Sequence, residues 1–143
     1  MACIGIFDSG SGGLSVLKEI LRVLPGEHFI YYSDEGHCPY GNKSTEYILE
    51  RSKSIAKELI EDGAQVIVIA CNTATAASIK TLRQDWPEIP FIGMEPAVKP
   101  AAALSESGVV GVLATESTLH AEKYIRTREK HSSGVKVVER CGK

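Results

Sequence analysis

No apolar run in this 143-residue sequence approaches the ~20 residues that a bilayer-spanning helix needs. The sequence opens Met1-Ala2-Cys3-Ile4-Gly5, with no basic segment ahead of an apolar stretch. No secretory signal is read there, and the two absences together predict a cytoplasmic protein without a membrane partner. Charge of one sign is also missing. Sixteen basic residues face eighteen acidic ones, for a formal net charge of -2. No basic stripe stands out, which excludes nucleic acid as the expected partner. Cysteines number four, Cys3, Cys38, Cys71 and Cys141, and none forms a Cys-x-x-Cys pair or a Cys/His cluster with zinc spacing. No metal site is predicted. A structural disulfide is not expected in a reducing cytoplasm, and Cys3, inside the first strand, reads as a small buried hydrophobe. Internal repeats and low-complexity linkers are absent.

What is present reads as a globular domain with a real core, 43% hydrophobic and 24% charged. Short apolar runs alternate with helical patterns. Cys3 to Phe7, His28 to Tyr32, Val66 to Ala70, Phe91 to Met94, Gly108 to Ala114 and Val135 to Val138 read as strands. Between them, helices are expected over Leu14 to Val23, Ser44 to Asp62, Thr73 to Asp85 and Pro96 to Ser105, with a further one from Ser117 or Thr118 towards Lys130. Pro25-Gly26, Gly63 and Pro87 supply the stops, and Ser33 to Asn42 reads as a loop. Strand–helix alternation throughout predicts an α/β fold with a mostly parallel, flavodoxin-like sheet.

In such a sheet, ligands bind outside the carboxyl ends of the strands. Two segments fall there. Asp8-Ser9-Gly10-Ser11-Gly12-Gly13 follows the first strand, and Cys71-Asn72-Thr73 follows the third. The glycine-rich loop has a bland reading, a tight turn whose glycines supply positive φ. Its sharper reading is an anion site at a helix N-terminus. It lacks the Gly-Lys-Ser/Thr of a phosphate loop and the Gly-x-Gly-x-x-Gly of a dinucleotide fold. Most buried cysteines are inert packing residues. Cys71 differs because it ends its strand where a helix begins, and the helix's positive end favours the thiolate. Asn72 and Thr73 are read either as helix caps or as groups for a small polar ligand. Pro39-Tyr40-Gly41 reads as a turn. Cys38 beside it is a second thiol without an activating partner, and His37 reads as a solvated loop histidine.

Taken together, three segments resemble glutamate racemases of the cofactor-independent aspartate/glutamate racemase superfamily. They are Ile4 to Val16, Pro39-Tyr40-Gly41-Asn42-Lys43-Ser44, and Ala70-Cys71-Asn72-Thr73-Ala74. Gly93-Met94-Glu95-Pro96 and Gly111-Val112-Leu113-Ala114-Thr115 with Thr118 extend the likeness to about residue 120. The resemblance implies a two-domain α/β racemase fold. Residues 1–94 would form the first domain, with the first catalytic cysteine, and 95–143 the start of the second. It implies interconversion of L- and D-glutamate for peptidoglycan, hence for cell-wall biogenesis and cell shape, without metal or organic cofactor. Two cysteines would flank the substrate α-carbon, one removing a proton and the other returning one.

Cys71 matches the first of these, with Asp8 and Ser9 orienting it and touching substrate. Tyr40, Gly41, Asn72 and Thr73 match substrate-binding positions, as do Thr115 and Thr118. The second cysteine, in a Cys-Thr-His motif, has no counterpart here, and Cys141 stands in a different context. The expectation is a shortened racemase: a fragment, a frameshifted reading or a natural short homologue. Glutamate is the expected ligand, and apolar faces left uncovered predict a homodimer. A non-catalytic carboxylate-binding or interaction module is the alternative. An α/β anion-binding domain unrelated to racemases is a third reading.

Overall fold

A computed structural model describes residues 1–142. Its contacts divide into two units, Met1–Met94 and the residues from Glu95 on. The first unit holds a four-stranded parallel sheet in the order β2-β1-β3-β4. Its strands are β1 (Cys3–Asp8), β2 (His28–Ser33), β3 (Val66–Ile69) and β4 (Phe91–Gly93). Helices α1 (Leu14–Val23), α2 (Thr45–Glu61) and α3 (Asn72–Asp85) connect them. The connection from β1 goes to one side, to β2, and the chain then returns to place β3 on the other side of β1. That reversal makes the β1/β3 boundary the topological switch point, where an open α/β sheet leaves a crevice.

The sequence explains the layering. β1 reads Ile4-Gly5-Ile6-Phe7, and all four residues are buried, as expected for a central strand covered on both faces. Ile4, Ile6 and Val68 face one layer, packed with Val16, Leu17 and Ile20 of α1. Phe7, Ile67 and Ile69 face the other, with Ile48, Ile55 and Leu59 of α2 and Leu82 of α3. Each such side chain contributes about 1.5–3 kcal/mol when fully buried. The α2 helix begins at Ser44, whose hydroxyl accepts the Tyr47 N–H at 3.1 Å. It ends at Gly63, which has φ +96°, with Gly63 N–H on the Ile60 carbonyl and Ala64 N–H on that of Leu59. This paired closure suits a residue without Cβ. The α1 helix buries none of its residues completely, and Leu14, Leu21, Val23 and Leu24 stay 41–76% exposed.

One residue of α2 breaks the apolar rule. Ser52 is fully buried, and its hydroxyl is the buried side-chain oxygen that lacks a hydrogen-bond partner among the described residues. An unsatisfied buried hydroxyl costs about 1–3 kcal/mol. Ser52→Ala is therefore expected to stabilise the chain by about 1 kcal/mol in urea unfolding. A loss of that size would show that the hydroxyl is satisfied in solution.

The second unit pairs β5 (Val109–Ala114) in parallel with β6 (Lys136–Cys141). Around them lie α4 (Val98–Leu104), α5 (Glu116–Leu119) and α6 (Glu122–His131). Two expectations need correction here. The helix read from Ser117 towards Lys130 is in fact two, because Ala121 takes extended backbone angles, φ -64° and ψ 127°, and serves as the cap of α6. The helix read from Pro96 starts only at Val98, which leaves Pro100 in the first turn, where a missing N–H costs nothing. Tyr124 anchors this unit. Its hydroxyl donates to Glu139 at 2.6 Å, beside Arg128 at 2.7 Å from the same oxygen, and burial, then the bond to Glu139, pushes the phenol up to about 12.

In the loop 33–42, read as irregular, Glu35–His37 and Tyr40–Asn42 form single 3₁₀ turns. The Cys38–Pro39 peptide between them is cis.

Candidate functional site

At the carboxyl end of β1 the chain turns sharply. The Asp8 carboxylate, almost wholly buried, accepts the Ser9 N–H at 2.8 Å and the Gly13 N–H at 2.8 Å. Two donors of the glycine-rich loop are thus aimed at the chain's own carboxylate, not at an external anion. The turn reading also needs revision, since neither Gly10, Gly12 nor Gly13 has positive φ. Gly13 is required by space. A Cβ there would sit 2.8 Å from Asp8 Cβ, 2.8 Å from the Tyr31 hydroxyl and 2.9 Å from Ala70 Cβ. The Tyr31 hydroxyl donates to the Gly10 carbonyl at 3.0 Å and braces the loop from β2.

The neighbouring strand end carries Cys71. Parallel register sets Phe7 beside Ile69, so the residues that follow emerge side by side. Cys71 Sγ donates to Ser9 Oγ at 3.7 Å, which is within reach for sulfur. Asn72 and Thr73 do not cap the helix, contrary to one reading of the sequence. Cys71 itself is the cap, with extended backbone, and its sulfur accepts the Ala74 N–H at 3.3 Å. This contact, and the Ser9 hydroxyl, do favour the thiolate. Burial outweighs them, and with the nearby Asp8 charge it pushes the Cys71 thiol above its ordinary range. The helix end thus favours the thiolate, as the sequence suggests, but burial is the larger influence. Cys71 is buried, whereas Cys38 and Cys141 are exposed.

The other candidates divide. Tyr40 is buried in the same core cluster as Cys71, and its hydroxyl donates to Asp34 at 2.5 Å. Gly41 follows in the same turn and is partly exposed. Thr73 is buried on the first turn of α3, and Asn72 beside it is exposed. Thr115 and Thr118 belong to the second unit, where they bond each other at 3.0 Å at the start of α5. His37 is not merely solvated, since its Nδ1 lies 2.9 Å from Asp34 Oδ1. Among the described residues no group of three or more His, Cys, Asp or Glu side chains could hold a metal ion. No helix among them is long and apolar enough to cross a membrane. Cys3 is half-buried, less enclosed than expected.

Sequence reading passed over Asp34, Arg51 and Tyr31. Asp34 was accessible in principle, because it follows β2 at the same sheet end as Asp8 and Cys71. Nothing in the pattern of α2 distinguishes Arg51 from its other charged residues.

Comparison with known proteins now places this arrangement. Residues 4–141 match the family described as Asp/Glu/Hydantoin racemase, and the chain belongs to that family. It is 54% identical over 137 residues to the glutamate racemase of Ectopseudomonas mendocina, which covers 96% of this chain and 52% of that protein. Its fold matches the crystal structure of Escherichia coli glutamate racemase in complex with L-glutamate and the activator UDP-MurNAc-ala. The TM-score there is 0.91 at 37% identity, over 99% of this chain and 53% of that one. The glutamate racemase of Aquifex pyrophilus gives 0.84 at 36% identity, covering 97% and 54%. The chain thus spans about half the length of the relatives it matches.

Proposed function

We propose that this chain carries the first half of a glutamate racemase site, in which Cys71 serves as the proton-transfer base on one face of the substrate α-carbon. The observation that carries the reading is the Cys71–Ser9 contact at the β1/β3 switch point, with Asp8 directly behind it. In this reading Ser9, Asn72, Thr73 and the Tyr40-Gly41 turn hold the carboxylate and amino groups of glutamate. The α-carbon–hydrogen bond breaks, the sulfur–hydrogen bond forms, and the electron pair is left on carbon. Return of a proton on the same face regenerates the thiolate. Inversion calls for a second acid on the opposite face.

A thiol kept above its ordinary range is the stronger base once ionised, which suits an α-proton of very low acidity. Positioning and a preorganised polar site supply the remaining stabilisation. No metal or organic cofactor enters this scheme. The proposed product use is D-glutamate supply for peptidoglycan, in the cytoplasm, where thiols stay reduced. The exposed apolar face of α1 supports self-association as part of the proposal.

Titration with glutamate, followed by amide NMR of the labelled chain, tests the binding part. Shifts centred on Ser9, Gly41, Asn72 and Thr73 are expected, with an affinity of about 1 mM or weaker. Shifts confined to residues remote from both strand ends would overturn it.

A further inference from the structure

We propose that Asp34 and Arg51 form a clamp that positions the Tyr40-Gly41 turn over Cys71 and ties it to the Asp8 loop. The geometry converges on one carboxylate. Arg51 grips it with two bonds, Nη2 to Oδ1 at 2.6 Å and Nε to Oδ2 at 3.1 Å. The Tyr40 hydroxyl donates to Oδ2 at 2.5 Å, and His37 Nδ1 sits 2.9 Å from Oδ1. A carboxylate offers about four lone-pair positions, so these partners fill it. Asp34 is 3% exposed. Its capacity is spent inside the protein, which makes it a positioning residue and leaves no lone pair for chemistry on a ligand.

The same residue also joins the two motif loops. The Asp34 backbone N–H donates to the Asp8 carbonyl at 3.0 Å. One residue therefore links the β1 end, through its main chain, to Tyr40 and to α2, through its side chain. A planar guanidinium held in fork geometry fixes an angle as well as a distance, which a lysine could not do. Burial pushes the Asp34 carboxyl up, yet the bonds from Arg51, Tyr40 and His37 outweigh it and hold the group below the usual carboxylate range. The reciprocal effect falls on Tyr40. Burial, then the bond to a charged Asp34, drives its phenol far above the ordinary tyrosine range. Tyr40 in turn belongs to the core cluster that covers Cys71. Release of the clamp should thus loosen Tyr40 first and unshield Cys71 second.

The clamp rests on the proposed role of the Tyr40-Gly41 turn, but its test needs no ligand, so it fails independently of the glutamate reading. The chain is labelled with ¹³C at tyrosine Cζ, and the Tyr40 signal is assigned by its loss in Tyr40→Phe. Arg51→Gln and Asp34→Asn are then titrated, and iodoacetamide labelling of each cysteine is mapped by mass spectrometry. In Asp34→Asn, which removes the charge that raises it, the Tyr40 titration is expected to move down; in Arg51→Gln, which removes a cation that lowers it and leaves Asp34 in place, it is not expected to move down. Cys71 should alkylate about tenfold faster at pH 8, the change that one pKa unit of relieved desolvation brings to a thiolate fraction. Cys3 and Cys141 should keep their rates. Arg51→Lys should restore charge but not the fork, and give an intermediate Cys71 labelling rate. Should Asp34→Asn fail to fold, Arg51→Gln decides, because its side chain is at the partly exposed rim. Unchanged Cys71 labelling in Arg51→Gln would overturn the clamp. So would outright unfolding of Arg51→Gln, since the pair would then determine the fold and not the position of Tyr40.

Discussion

Gly13→Ala is expected to lose about 3 kcal/mol of stability and to derange the strand-end loop. The reason is local. The new Cβ would press on Asp8 Cβ, the Tyr31 hydroxyl and Ala70 Cβ, each closer than 3.0 Å. Overpacking of that kind costs about 1–3 kcal/mol. Relief by backbone movement draws the Gly13 N–H away from Asp8, which forfeits a bond to a charged group worth about 1.5–3 kcal/mol. Ser9 rides on the same loop, so its contact with Cys71 should go as well. Urea unfolding measures the first effect, and mass-spectrometric labelling of Cys71 measures the second. Gly12→Ala is the control, because its nearest neighbour, an Asp8 oxygen, would be 3.4 Å away. Stability of Gly13→Ala within about 0.5 kcal/mol of the parent would show that the loop accommodates a Cβ at this position.

The layers were legible because the signals are periodic and strong. Ile4 to Phe7 and Val66 to Ile69 are apolar on both faces, which only a central strand tolerates, and α2 repeats its apolar residues on one stripe. Cys71 and the Asp8 loop were legible as strand ends. What escaped were interactions between distant residues. Arg51 reaches Asp34 across 17 positions, and Tyr31 reaches Gly10 across 21, and no local pattern encodes either. The burial of Cys71 escaped for a related reason. Sequence shows the helix that favours the thiolate, but the burial that disfavours it exists only in three dimensions. The helix broken at Ala121 shows the limits of periodicity, since polar residues dominate that stretch and no Gly or Pro marks the break.

Cys71→Ser is expected to lower α-proton exchange by about 10²–10⁴-fold, the usual contribution of a positioned general base. A hydroxyl is far less acidic than a thiol and does not ionise to a useful extent at neutral pH. The polypeptide of these 143 residues should exchange the α-proton of one glutamate enantiomer with solvent, because removal and return on one face need only one base. Inversion needs return on the opposite face, and this sequence carries no Cys-Thr-His motif to supply it. Cys38 is the other thiol near the loop, with Sγ 3.8 Å from the position a Cβ on Gly10 would take, so Cys38→Ala accompanies the test. The rate should rise with pH as the raised Cys71 thiol ionises. The deciding measurement incubates the chain with D-glutamate, and separately with L-glutamate, in D₂O, and follows deuterium at the α-carbon together with chirality. Exchange of one enantiomer with retention, unchanged in Cys38→Ala and lost in Cys71→Ser, is the predicted result. Exchange that survives Cys71→Ser, or robust inversion by the Cys38→Ala chain, would contradict the assignment of Cys71 as the base of a one-sided site.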